Sequence, residues 1–436
     1  MSKYWLGCKR TLISMALVAL VGGGILGCGA DSYDQPESEQ VLTVTDSPLI
    51  DAATLKGWME QGLVNAGVDS ENVVILHVEP NDKATPAATA NYNAGHVPGA
   101  YIWNGSTELT QSRLDGLSVA GSELPTGAMI DQVLARAGVN KNSTIVLSYP
   151  PQAAMHYPSR AYFTLRYWGF PKSKIKVLNG GSVGWTAGGY DLTTVAPAPV
   201  WNNSFSVRDN VNLRNDLRYS LGEMIQEVDA NNAAIDASGN PWVNIIQQTE
   251  GPRTIANAIG RSMSYFFNAY DATAGTGGTF KTAAEVEAAL ADTDGPNNDK
   301  TLGAFVPGIP TITHCVSGMS CTPIFFALDA ILGAEVAIYD GSTSQWDAYK
   351  AKDATVTAGV VPNDAWRTDL YNRTNPAILT SSPTTTTNVI DPVLNSLYLS
   401  VDDPRANQLE NEDLEYMTPS TSGPPTSTGT GDSSGC

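Results

Sequence analysis

The sequence predicts an α/β protein of two tandem domains, each a parallel sheet flanked by helices. Three observations lead there. Two central segments match at a fixed offset of 161 residues: Leu178-Asn179-Gly180-Gly181-Ser182-Val183-Gly184-Trp185 lies over Tyr339-Asp340-Gly341-Ser342-Thr343-Ser344-Gln345-Trp346, and Ser159 falls on Ser320. Within each copy, apolar β-rich runs alternate with amphipathic stretches of helical length, the pattern of βαβ units whose sheets are covered on both faces. A length of 436 residues, 42% of them hydrophobic, suffices for two large domains and is too apolar for disorder throughout.

Residues 1–27 carry Lys3, Lys9 and Arg10, then an apolar stretch from Leu12 to Leu26. This reads as a secretory signal peptide, too short and glycine-rich for a spanning helix. It ends Ile25-Leu26-Gly27-Cys28, which resembles the lipobox of bacterial lipoproteins. The resemblance implies a lipid on Cys28, the first mature residue, and hence a membrane partner. With Gly29 rather than an acid next, the implied localisation is the cell envelope, at the outer membrane of a Gram-negative bacterium. Residues 28–45 read as a polar tether.

The first domain spans residues 46–200. Its strands are expected at Asn72–Val78, Ser143–Tyr149 and Ile175–Leu178, with a helix over Ser159–Trp168 and then the Gly-rich turn to Trp185. The second spans residues 201–375, with strands at Trp242–Ile246, Thr311–His314 and Glu335–Tyr339 and a helix over Cys321–Leu332. Residues 376–436 form an extension, expected to be disordered from about 402. Asp402 to Glu415 is mostly acidic and polar, and Thr418 to Cys436 is Ser/Thr/Gly/Pro-rich and cannot bury enough apolar surface to fold.

Lys+Arg 25 against Asp+Glu 44 gives a net charge of −19, which argues against a nucleic-acid partner, since phosphate demands a basic face. Four scattered histidines and no Cys-x-x-Cys pair offer no metal site. There is no haem attachment motif and no phosphate-binding Gly-Lys-Ser loop, so no cofactor is expected.

Tyr92-Asn93-Ala94-Gly95-His96-Val97-Pro98-Gly99-Ala100, between a strand and a helix, resembles a signature of the rhodanese (sulfurtransferase) superfamily. So does the strand, Gly-rich turn and Trp that end each copy. The resemblance covers about residues 46–350 and is weakest over 205–300. It implies the arrangement of the thiosulfate and 3-mercaptopyruvate sulfurtransferases, with an inactive first domain and a catalytic second one. Ala154 stands at the Cys315 position of the first copy, which leaves that copy without a nucleophile. Nearby Arg160 reads as a buried structural arginine.

The chemistry lies in Ile312-Thr313-His314-Cys315-Val316-Ser317-Gly318-Met319-Ser320-Cys321. A cysteine directly after a buried strand and before a helix sits where loop N–H groups form an anion nest at the positive end of the helix dipole. A thiolate there is stabilised and becomes nucleophilic at neutral pH. Gly318 permits the tight loop, and Ser320 is placed to cap the helix. The spacing resembles the rhodanese active-site loop. Val316-Ser317 lacks the basic residues of thiosulfate-type loops, and a hydroxyl before the glycine is closer to the mercaptopyruvate type.

The resemblance implies that Cys315 takes sulfur from a small anionic donor, holds it as a persulfide and passes it to a thiol or other acceptor. The loop Val316, Ser317, Gly318, Met319 and Ser320 would hold the negative charge. Glu250-Gly251-Pro252-Arg253 resembles a donor-binding segment of the family, which makes Arg253 the candidate anion clamp and Arg261 the second choice. Cys321 reads either as a packed thiol or as a resolving thiol for the persulfide. His314, on the strand, reads as a core residue rather than a base. Three functions therefore compete: a lipid-anchored sulfurtransferase, a degenerate rhodanese-like module that binds without catalysis, and thiol–disulfide exchange through Cys315 and Cys321.

Overall fold

The computed structural model describes residues 47–67, 71–80, 90–115, 118–151, 155–201, 205–210, 212–269, 271, 273, 278–347 and 408–418. The leader with Cys28, the tether, Ala154 and Cys436 lie outside these residues.

The first half opens with strand β1 (Leu49–Ile50) and helix α1 (Ala52–Glu60), which Asp51 caps by accepting from the Thr54 N–H. Strand β2 (Val73–Glu79) is buried along its whole length, as a run of Val, Val, Ile and Leu in a doubly covered sheet should be. A short helix α2 (Ala90–Ala94) and strand β3 (Tyr101–Asn104) follow, then an antiparallel hairpin of β4 (Gln111–Asp115) and β5 (Ser118–Glu123). Helix α3 (Gly127–Ala137) starts at the Thr126 cap and stops at Gly138, whose φ of 71° ends it in the left-handed region. Strand β6 (Thr144–Ser148), helix α4 (His156–Tyr167), strand β7 (Ile175–Leu178) and helix α5 (Gly181–Ala187) complete the half.

The second half runs through strand β8 (Arg218–Tyr219), helix α6 (Leu221–Ser238), strands β9 (Asn244–Gln247) and β10 (Ile259–Gly260), and a small antiparallel pair, β11 (Phe267–Asn268) and β12 (Thr279–Phe280). Helix α7 (Ala283–Ala291), strand β13 (Thr311–His314), helix α8 (Thr322–Phe326) and strand β14 (Val336–Tyr339) follow. Reciprocal capping boxes, Ser220 with Glu223 and Thr282 with Glu285, start α6 and α7. Helix α8 widens into π-helical geometry over Ala327–Leu332 and ends at Gly333.

Two five-stranded sheets result, ordered β1-β7-β6-β2-β3 and β10-β9-β13-β14-β8, with every neighbouring pair parallel. Reversing the second list places β8, β14, β13, β9 and β10 over β1, β7, β6, β2 and β3. The repeat in sequence is thus a repeat in topology. Helices α4 and α8, each leaving a central strand, pack against one another: Phe163 meets Phe325 edge-on at 5.0 Å between ring centroids, and Tyr162 meets Phe326 at 4.8 Å. Beside them Asp329 accepts from the Tyr162 hydroxyl (2.7 Å) and from Arg166 Nε (3.0 Å) and pairs with Lys172 Nζ (2.9 Å).

Disorder from about residue 402 is corrected by a helix at Gln408–Met417 that docks on the first half. Arg113, nearly fully buried, donates to both carboxylate oxygens of Asp413 (2.8 and 3.0 Å), and the Tyr167 hydroxyl donates to the same carboxylate (2.9 Å). Leu409 is buried, and the Tyr416 ring sits where a Cβ on Gly127 would be. An acidic helix folds here because a buried arginine elsewhere needs its charge.

Candidate active site

Cys315 leaves the C-terminal end of β13, the end of a parallel sheet at which α/β proteins place their ligands. Its residue is buried, while Val316 is exposed and Ser317, Met319 and Ser320 are half-buried. The sulfur therefore lies just beneath a loop that faces water. A cavity of about 460 Å3 lined by Leu290, Phe305, Thr311, Leu328 and Glu335, among others, opens at the other end of β13 and takes no part in the site.

The loop gathers donors around this sulfur. Burial pushes the Cys315 thiol up, but hydrogen bonds from the Cys321 thiol, the Ser320 hydroxyl and the N–H groups of Ser317 and Cys321 outweigh it and bring the thiol down to about 5. Cys321 shifts the other way: burial and the neighbouring Cys315 thiolate hold its thiol well above the ordinary value. At neutral pH the site thus contains one thiolate and one S–H donor. Both cysteines are free thiols.

Two N–H groups of the loop expected to form an anion nest are taken by a side chain instead. The N–H groups of Cys315 (3.2 Å) and Gly318 (3.0 Å) donate to Ser342 Oγ, whose own proton goes to the Tyr339 carbonyl (2.9 Å). The turn after β14 supplies two further ties: Thr343 N–H donates to the Cys315 carbonyl (3.1 Å) and Ser344 N–H to the Val316 carbonyl (3.0 Å). Gly318 has φ +75°, and a Cβ there would overlap the Asp340 carboxylate, so only glycine fits.

Ser320 does not cap α8. The residue at the cap is Cys321, which makes no side-chain capping bond, and the Ser320 hydroxyl donates to Gln248 Oε1 (3.0 Å). His314 is fully buried, and burial lowers its imidazole to about 4, so it is neutral at pH 7 and part of the core.

Of the two expected anion clamps, the second choice is spent inside the core. Arg261 is fully buried and donates to five carbonyls, those of Gly260 (2.6 Å), Ala289 (3.1 Å), Leu290 (2.5 Å), Leu302 (3.4 Å) and Gly303 (3.1 Å). It closes the end of α7 against the 302–303 segment, and burial lowers its guanidinium to about 10. Arg253 Nη1 donates to the Thr301 carbonyl (2.8 Å) and its Nε to that of Ala258 (3.2 Å). Arg261 is thus a structural clasp of the loop between β9 and α7, and Arg253 is anchored to the same loop through two carbonyls while remaining half-buried.

An arginine from the other half reaches the site. Arg160, near the start of α4, is fully buried; Nη1 donates to the Gly318 carbonyl (2.9 Å) and to Asp340 Oδ1 (2.5 Å), and Nη2 to Asp340 Oδ2 (3.1 Å) and the Ser122 carbonyl (2.9 Å). Behind it Arg218 pairs with Asp115 (2.8 Å) and Glu123 (3.1 Å). Burial and the charge of Asp340 hold Glu123 well above the carboxylate range. Burial pushes Asp340 up too, but Arg160 outweighs it and holds this carboxyl below its ordinary value. The roles of Arg160, Ser342 and Asp340 were missed from sequence, although the last two stand inside the repeated Gly-rich turn. Among the described residues no group of three or more His, Cys, Asp or Glu is arranged to hold a metal ion.

No family model matches the chain. Curated relatives do. The chain is 25% identical over 292 residues to a candidate thiosulfate sulfurtransferase of Haloferax volcanii, covering 66% of this chain and 91% of that protein. It is 27% identical over 271 residues to the thiosulfate sulfurtransferase of Corynebacterium glutamicum, covering 58% and 78%. Among solved structures, a variant of EanB captured as a persulfide in a tetrahedral intermediate state with ergothioneine shares the fold at a TM-score of 0.50 and 16% identity, over 69% of this chain and 68% of that one. The duplicated parallel-sheet architecture and these sequence relatives together support the placement of this chain in the rhodanese superfamily of sulfurtransferases.

Proposed function

We propose that the protein moves sulfane sulfur through a persulfide on Cys315. The observation that carries this is the set of donors around one buried sulfur: a thiolate lowered to about 5 is a nucleophile throughout the neutral range. The Cys315 thiolate attacks the outer sulfur of thiosulfate, the S–S bond of the donor breaks, and sulfite leaves with the bonding electron pair. With 3-mercaptopyruvate, the C–S bond breaks and pyruvate leaves after protonation. An acceptor thiolate then attacks the outer sulfur of the persulfide and releases Cys315 as thiolate. In both steps the loop N–H groups, the Ser320 hydroxyl and the Cys321 thiol stabilise negative charge on sulfur.

The test is intact mass after incubation with thiosulfate or 3-mercaptopyruvate. Wild type should gain one sulfur atom and lose it to cyanide as thiocyanate, and Cys315→Ser should gain none. A wild type that loads with neither donor removes the reading and favours a binding module.

The contact between the two cysteines favours a second reading. Attack of Cys321 on the inner sulfur of the persulfide would form a Cys315–Cys321 disulfide and release hydrosulfide. Loss of two hydrogens in place of the sulfur adduct would identify this route.

The leader supports an envelope location, with the chain tethered by lipid on Cys28 and the donor met outside the cytoplasm. Among the described residues no helix is long and apolar enough to cross a membrane. Cys28→Ala, which removes the thiol that would carry the lipid, should release the protein from the detergent phase; continued partition would overturn the anchor.

A further inference from the structure

The two copies of the Gly-rich turn differ at one informative position. Gly181 in the first copy has φ +52°, and its counterpart at the repeat offset, Ser342, has φ +53°. A left-handed backbone suits glycine and strains serine. The second copy holds that strain beside Cys315, where Ser342 Oγ accepts from both the Cys315 N–H and the Gly318 N–H. Strain kept at such a place points to a role for the side chain. On the far side of Gly318, its carbonyl is held by Arg160, a residue of the first half 158 positions earlier in the chain.

We propose that Ser342 and Arg160 are positioning residues for the Cys315 thiolate, pinning Gly318 from its N–H and from its carbonyl so that the Ser317 N–H stays aimed at the sulfur. The first half of the molecule then contributes directly to the site through Arg160, in addition to packing against the second half. Asp340 orients the guanidinium by taking a hydrogen bond from each of its two terminal nitrogens. The charged and titratable groups facing the pinned loop are Arg160, Asp340 and Cys321, with Glu123, Asp115 and Arg218 behind them and His314 on the strand below. This inference rests on Cys315 as the sulfur carrier but is tested without a sulfur donor.

The experiment is the pH dependence of Cys315 alkylation by iodoacetamide, followed by mass, in full-length wild type, Ser342→Gly and Arg160→Lys, with melting temperatures measured alongside. Ser342→Gly relieves the strained backbone but leaves the Cys315 and Gly318 N–H groups without their acceptor, so its melting temperature should fall modestly, the first effect offsetting part of the second. Its alkylation midpoint should rise by about one pH unit, a roughly tenfold loss of thiolate below the midpoint. Arg160→Lys keeps the charge but cannot hold Gly318 and both Asp340 oxygens at once, and its midpoint should rise too. A folded Ser342→Gly with the wild-type profile overturns the proposal, and it decides alone if Arg160→Lys does not fold. A folded Arg160→Lys with the wild-type profile overturns the role of the first half. Shifted variants from a wild type that loads no sulfur would refute the sulfurtransferase reading and leave the positioning intact.

Discussion

Cys315 and Cys321, two buried free thiols six positions apart, are driven in opposite directions, Cys315 down to about 5 and Cys321 well above its ordinary value. Each shift has the other as one of its causes. The pair is therefore a single acidic thiol with a built-in donor, and each part of it can be removed separately.

Cys321→Ala should raise the Cys315 alkylation midpoint from about 5 by about one pH unit. Hydrogen bonds to charged groups are worth about 1.5–3 kcal/mol, S–H is a weak donor at the low end of that range, and 1.36 kcal/mol corresponds to one unit. Cys321→Ser, which keeps a donor, should move the midpoint less. Alkylation rates across pH, read by mass, check both.

Arg261→Met should destabilise the fold without changing the donor KM of the protein that remains folded. The guanidinium satisfies five buried carbonyls, and each one left unpaired costs about 1–3 kcal/mol before the structure relaxes. Melting temperature together with thiosulfate kinetics separates this from a donor clamp, for which KM would rise at unchanged stability.

Asp329→Asn should weaken the packing of α4 against α8. Burial raises the Asp329 carboxyl, but Arg166 and Lys172 outweigh it and hold it below its ordinary value. A depressed acid stabilises the fold above its unfolded value, near 3.9, and that contribution is lost as pH falls through the lower folded value. Removing one partner of a buried pair costs about 3–5 kcal/mol, so the stability gap between wild type and variant should be full at pH 7 and close below about pH 4. Denaturant midpoints across pH provide the check.

Arg113→Met should cost about 3 kcal/mol, because it leaves the buried Asp413 carboxylate with the Tyr167 hydroxyl but without its countercharge. Adding Asp413→Asn should restore part of that loss, since removing both charges costs less than stranding one. Melting temperatures of the two single variants and the double variant decide whether the C-terminal helix is bound through this pair.

The amino-acid sequence by itself determined the duplicated α/β architecture, the central strands and the loop that carries Cys315. These signals are local: β13 was expected at Thr311–His314, β7 at Ile175–Leu178 and the repeat at its offset, and the structure has them there. Such runs are legible because buried parallel strands are rich in apolar and β-branched residues, as in Ile-Lys-Val-Leu and Thr-Ile-Thr-His. The edge strands β1, β8 and β10, two residues each, left no periodic signal to read. Tertiary structure alone decided the electrostatics. Whether an arginine binds an anion, cages carbonyls or pins a loop depends on what is buried around it, and the partners of Arg160 and Arg113 lie 180 and 300 positions away in the chain. Burial made Arg261 a structural clasp, made part of the acidic tail a docked helix, and brought an arginine of the first half to the loop of the second.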